Sequence, residues 1–263
     1  MTTDFSTLLP IAHRLADAAR AATLPHFRSG GLSADNKVTG GYDPVTVADR
    51  ASEQAMRNIL ATERPHDSIL GEEFAPSSGT SGLTWVLDPI DGTRGFVSGT
   101  PTWGVLICVQ DSQGPQLGII DQPYIGERFV GLPGTAHMDG PQGHAPLRTR
   151  EPRALAEATL FTTFPEVGTD ADRAGFDAVA REVQLVRYGM DCYAYALVAA
   201  GQVDLVIEAG LAPYDIAAPI ALVQAAGGIV TDWTGGPAHH GGRAIAAANA
   251  DIHAEALALL AGH

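Results

Sequence analysis

Cysteine is scarce: Cys108 and Cys192 are the two in 263 residues, which rules out a disulfide framework. Each sits in an apolar run, "WGVLICV" and "GMDCYAYAL", so both read as buried free thiols in a reducing compartment. Positive charge is also short, with 16 Lys and Arg against 30 Asp and Glu and a net charge of −14. Nucleic-acid binding needs clustered cations opposite the phosphate backbone, so that class is excluded. No window approaches about 18 consecutive apolar residues, and the N-terminus has no basic segment followed by an uninterrupted apolar one. The expectation is a cytoplasmic protein with no membrane partner. Nine histidines include no HExxH-type spacing. His239 and His240 lie in "GGPAHHGGR", which reads as a glycine-rich loop with a solvent-exposed pair.

What is present suits a large core, since 45% of the chain is apolar, enough for one large domain or two tightly joined halves. Residues 7 to 24 carry Leu8, Ile11, Ala12, Leu15, Ala19 and Ala22 at helical spacing and stop before Pro25. A second helix is expected from about Thr46 to Thr62, after Asp43 and Pro44. Four apolar runs with short turns follow, "TWVLD", "WGVLICV", "QLGIIDQPY" and "GERFVGL", which predict an antiparallel sheet. The Gly- and Pro-rich segment 131 to 146 is the best internal boundary. It separates an N-terminal α+β half, 1–135, from a C-terminal α/β half, 136–263, within one compact unit. In the second half strand-like and helical segments alternate, which suggests a more parallel, layered arrangement.

The stretch "WVLDPIDGTRGF", Trp85 to Phe96, ends an apolar run in two carboxylates around a proline. Proline cannot donate to a sheet ladder and biases Asp88 toward extended geometry, so these acids stand at a strand's end. Asp88 and Asp91 crowd one short turn without a nearby lysine, and a cation between them would resolve the repulsion. Glu72 and Glu73 in "ILGEEF", Asp43 and Asp49 in "YDPVTVAD" and Asp215 in "APYDIAA" occupy similar turn contexts. Oxygen ligands unsupported by Cys or His specify hard cations, Mg2+ or Mn2+, which bind through carboxylates and substrate phosphate. Gly92 lets backbone approach a ligand, and "TRGF" can open a helix whose free N–H groups favour phosphate.

Glu72 in "GEE", "DPIDGT" at Asp88 to Thr93, "DPVTVAD" upstream and "YDIAAPIALVQAAGG" downstream together resemble the inositol monophosphatase family of metal-dependent, lithium-sensitive phosphatases. The motifs come in the family's order over roughly residues 37 to 232. The resemblance implies a five-layered αβαβα sandwich, a small phosphorylated substrate, two or three Mg2+ ions per subunit with Mn2+ as a substitute, and a homodimer. It also implies that Asp88 bridges two ions, that Glu72 and the Ile90 carbonyl complete the first, and that Asp91 and Asp215 complete the second. Gly92 and Thr93 would take the phosphate oxygens. Thr93 with Glu72 would activate the attacking water, supported by Asp49. Lys37 reads as a solvated loop lysine that could balance charge. Tyr214 stands where the family commonly has Trp. Pro219 is expected near a helix start, with Asp215 in the first turn.

Substrate identity is carried by other stretches, because family and fold do not fix it. "DGTRGFVSGTPTWG", "IDQPYIGERF", "RYGMDCYAYAL" and "VDLVIEAG" look closest to the bacterial histidinol-phosphate phosphatase branch. That substrate carries an ammonium, which Asp191 or Glu208 could pair. Glu208 would equally accept sugar hydroxyls, and Asp191 could also cap a helix. Arg94 and Arg187 could hold Asp191, reach phosphate or form structural salt bridges. Trp103 and Tyr188 read as core residues. The expected activity is hydrolysis of L-histidinol phosphate, with inositol-1-phosphate and other small phosphomonoesters as alternatives.

Overall fold

The computed structural model describes residues 4–30, 34–36 and 44–262; Lys37 and Asp43 lie outside the described residues. A short 3-10 turn, Phe5–Thr7, leads into α1, Leu9–Thr23, whose Ala12, Leu15, Ala16 and Ala19 are buried as their spacing requires. β1 (Ala34–Asn36) and β2 (Pro44–Thr46) pair antiparallel. α2 (Val47–Glu63) starts at a capping box. Thr46 Oγ1 accepts from the Ala48 N–H at 3.1 Å, and Asp49 accepts from the Thr46 N–H at 2.8 Å.

A seven-stranded sheet follows in chain order: β3 (Ser68–Gly71), β4 (Thr84–Asp91), then after the short helix α3 (Thr93–Ser98) β5 (Gly104–Asp111), β6 (Gly114–Gln122), β7 (Glu127–Leu132), β8 (Thr135–Gly140) and β9 (Gly143–Pro146). All neighbours are antiparallel except β3 and β4. Segment 131–146 supplies strands β8 and β9 to this sheet, and the passage to the second sheet falls in 147–158.

After a 3-10 turn at Leu155–Glu157 come β10 (Thr159–Thr162), α4 (Asp170–Ala180), β11 (Leu185–Tyr188), α5 (Cys192–Ala199), β12 (Leu205–Leu211), α6 (Pro213–Ala225), β13 (Ile229–Thr231), β14 (Gly242–Ala247) and α7 (Ala250–Leu260). The sheet order is β11-β10-β12-β14-β13. β10 runs parallel to both its neighbours and β14 antiparallel to both of its own. The parallel core is as expected, and β14 is an addition to it.

Three hydrophobic cores glue five layers. α1 and α2 cover one face of the large sheet through Leu15, Met56, Trp85, Leu87 and Ile119. α5 and α6 fill the space between the sheets with Val86, Leu106, Ala196, Ile216 and Leu222. α4 and α7 close the outer face of the small sheet around Phe176, Leu205, Ile245 and Ile252. The arrangement is the expected αβαβα sandwich. α6 buries every residue from Ile216 to Val223, as a helix packed on both sides must. Pro219 is its seventh residue, in the second turn and not at the start, where it removes the N–H that the Asp215 carbonyl would accept. Both cysteines are free and buried. Trp103 is buried, whereas Tyr188 is a correction: it is 45% exposed, because it ends the edge strand β11.

Candidate metal and phosphate site

In a regular strand residues three apart point to opposite faces, so Asp88 and Asp91 could not share a site. A register shift between them solves this: Asp88 pairs with Leu106 but Asp91 with Gly104. One extra residue is accommodated around Pro89, which has no N–H to lose. The packing records the change, since Trp85 and Leu87 face α1 and α2, and so does Ile90. Asp91 thereby joins Asp88 on the side facing the middle helices. There one carboxylate oxygen from each of Asp88, Asp91 and Asp215 lies within 4.8 Å of the others. Asp215 is fixed in the first turn of α6 by accepting from the Ala212 N–H at 2.7 Å.

Burial and crowding of like charge raise all three carboxyls. Asp88 is held well above the usual aspartate range by burial first, then by the charges of Glu72, Asp91 and Asp215. Asp91 is raised by burial and by Asp191 and Asp215. Asp215 is pushed up to about 7, chiefly by burial, against the opposing Ala212 hydrogen bond. Arg94 is the one basic side chain lining the cavity among the described residues. Enclosed or half-buried, mutually repelling, all-oxygen donors fit one or more hard divalent cations and little else.

Glu72 follows β3 and lines the same cavity. The turn that presents it is anchored from below by fully buried Glu53 of α2, which accepts from the Glu73 N–H at 2.7 Å and pairs with Arg57 at 2.7 Å. A Cβ on Gly71 would fall 2.0 Å from Glu53 Oε1, so a side chain there would displace the carboxylate that anchors the turn. Thr93 opens α3 after Gly92, whose φ of 80° is left-handed. Its hydroxyl lies 3.1 Å from the Ile90 carbonyl and 3.4 Å from Asp49 Oδ1, with Asp49 itself buried and raised by that burial. Any donation goes to those two acceptors, which leaves a Thr93 lone pair for a ligand.

The opposite wall comes from the second sheet. The cavity, about 350 Å³, is bounded by the C-terminal ends of β4, β10 and β12 and by the starts of α3, α5 and α6. Helix N-termini turned toward one space favour an anion. Asp191 stands before α5 at φ 47°, a costly conformation for a non-glycine residue. Its Cγ would lie 2.7 Å from a Cβ on Gly92. Burial, then the charge of Glu208, pushes Asp191 up to about 7, while Thr102 and Arg94 pull it down. Glu208 is buried and accepts from the Thr163 N–H at 3.0 Å, the Thr163 hydroxyl and the Tyr195 hydroxyl at 2.8 Å. Arg94 stacks 4.6 Å over the Phe164 ring.

Glu72, Asp88, Ile90, Asp91, Gly92, Thr93, Arg94, Asp191, Glu208 and Asp215 therefore line one cavity, with Asp49 behind Thr93. Arg187 is not brought there; it is exposed on edge strand β11. Thr163, Phe164, Glu166 and Tyr195 line the wall without having been singled out in the sequence. Their signal is position: "TFPE" follows β10, and ligand sites gather beyond the carboxyl ends of parallel strands.

The sequence matches the model of the inositol monophosphatase family over residues 4–262. A histidinol-phosphatase of Streptomyces coelicolor is 36% identical, the match covering 98% of this chain and 98% of its own. A Nus factor SuhB of Pasteurella multocida is 32% identical over 92% of this chain and 91% of its own. Among solved structures, an inositol monophosphatase from Zymomonas mobilis aligns with a TM-score of 0.86 at 37% identity, covering 99% of this chain and 100% of that one.

Proposed function

The chain belongs to the inositol monophosphatase family of metal-dependent phosphomonoesterases, and from that premise we propose that it hydrolyses L-histidinol phosphate to L-histidinol and phosphate, using Mg2+ with Mn2+ as a substitute, as a homodimer. Asp191 carries the choice of ester: a strained, half-buried carboxylate on the cavity wall suits an ammonium-bearing alcohol, and an inositol ring has no cation to offer it. The similarity to the Streptomyces coelicolor histidinol-phosphatase supports the same reading.

Asp88, Asp91, Asp215 and Glu72, with the Ile90 carbonyl, would hold two or three ions. When bound, the ions supply the positive charge that activates water and stabilises the leaving oxygen. The chain's own part is positioning. Gly92 and the N–H groups opening α3 receive the phosphate oxygens. Thr93, its proton directed to Ile90 O or Asp49, accepts a hydrogen bond from the attacking water and aims it, and Glu72 takes the water's proton. Asp191 and Arg94 orient the remainder of the substrate, with Phe164 and Tyr195 excluding water from the wall.

A second reading, inositol-1-phosphate, is favoured by the likeness to the Zymomonas mobilis enzyme and by Glu208, which can serve hydroxyls. Phosphate release from both esters with Mg2+, with and without a chelator, separates them. Strong chelator-sensitive preference for histidinol phosphate is expected; preference for the inositol ester would reverse the assignment, and activity on neither would overturn both.

A further inference from the structure

The far edge of the large sheet carries a second group of metal-ligating side chains. β8 and β9 form an antiparallel hairpin in which Asp139 lies opposite His144 and His137 opposite Pro146. His137 and Asp139 are two apart on one strand, so they share a face, and a directly opposed residue joins that face. The neighbouring β7 confirms its direction, since Val130 opposite His137 packs in the core toward α1, while Ala136 and Met138 pack toward the middle helices. Three ligands of two types thus meet on one surface: His144 Nδ1 lies 2.8 Å and His137 Nε2 3.4 Å from Asp139. The two imidazoles are 4.9 Å apart between ring centroids.

The patch is open, with His137, Asp139 and His144 side chains 19%, 51% and 63% exposed, so small rotamer changes suffice to converge on an ion about 2.0–2.2 Å from each atom. Arg128 beside it does not oppose a cation with its full charge. It pairs with Asp121 at 2.7 Å and Asp17 at 2.7 Å. His13 of α1 faces the same region, its Nδ1 3.2 Å from Arg128 Nη1.

We propose that His137, Asp139 and His144 form a binding site for a borderline divalent transition cation, Zn2+ in the first instance, that clips β8 to the edge strand β9. Two imidazoles and one carboxylate select such ions over Mg2+, the reverse of the all-oxygen cluster at Asp88. Three protein ligands leave room for water in the coordination sphere. Pinning the outermost hairpin also protects the unpaired edge of the sheet.

The test is Zn2+ titration by calorimetry of the full chain kept saturated with Mg2+, compared with H137A/H144A. One Zn2+ per chain is expected in the parent and absent from the double variant, whose Mg2+-dependent phosphatase activity reports that it remains folded. Asp139→Asn weakens that Zn2+ at least about tenfold. Cu2+ substitution gives an independent readout, because nitrogen hyperfine structure in the electron paramagnetic resonance spectrum can arise here but not from the all-oxygen cluster. Equal Zn2+ uptake by parent and double variant, or Cu2+ held by oxygen alone, overturns the proposal.

Discussion

The floor and the wall of the cavity are each built on buried and half-buried acids, yet their surroundings differ. On the floor, Asp88, Asp91 and Asp215 face one another, and the neighbours that raise them are further carboxylates. On the wall, Glu208 has its oxygens occupied by three donors, and Asp191 is moderated by Thr102 and Arg94. The contrast separates acids that require a cation from acids that brace a structure or discriminate between ligands. On the proposed reading the first set would carry the chemistry and the second the choice of ester, the division by which one fold can serve several substrates.

Breaking the floor has the largest expected effect. Asp88→Asn removes the charge shared by the proposed ions, and Mg2+-dependent phosphate release falls on the order of 10³-fold or more for every ester, with the circular dichroism spectrum unchanged. Near-normal turnover would remove Asp88 from the metal set. Asp191→Asn sharpens the comparison from the other side. Losing one charge-assisted pairing lowers kcat/KM for histidinol phosphate by about 10–100-fold while inositol-1-phosphate changes far less. Equal losses on both would make the wall a scaffold and not a selector.

The floor also makes stability respond to pH. Asp215 is raised from 3.8 to about 7 in the folded chain, so between those values the metal-free fold binds more protons than the unfolded chain. Its contribution is complete below about pH 4 and is lost as pH rises through about 7. Chelated protein therefore melts lower at pH 8 than at pH 6, by on the order of 5 °C, and Mg2+ restores more at pH 8. Calorimetry that found the chelated form more stable at pH 8 would refute the repulsion on the floor. The smallest effect is expected outside both regions: Arg187→Ala, on the exposed edge of β11, leaves kcat/KM on either ester within about twofold.

The floor was largely legible in the sequence because its residues cluster around one turn and two short motifs. So were α1, α2 and the strands β4 to β7, whose apolar spacing is set locally. The wall was legible only in part: Arg94, Asp191 and Glu208 stood out, but Thr163, Phe164 and Tyr195 meet Asp191 only through the packing of β10, β12 and α5. β14 escaped pattern reading because "GRAIAA" is rich in alanine, a weak strand former, and is a strand through its neighbours on both sides. Arg187 stands in a readable strand, but its exposure follows from β11 being at the sheet's edge, which no local pattern announces.

The extra residue in β4 makes the active centre a matter of parity. Whether Asp91 meets Asp88 or faces α1 and α2 depends on two residues of β4 opposing one of β5 between the paired positions, not on which acids the chain contains. Pairing the same residues in unbroken register, with Asp91 opposite Trp103, would keep every carboxylate, preserve the net charge and leave the Asp-Gly-Thr motif intact. It would also turn Asp91 into the apolar layer around Trp85 and Leu87. Counting acids would pass such a strand as intact, whereas following its register would not.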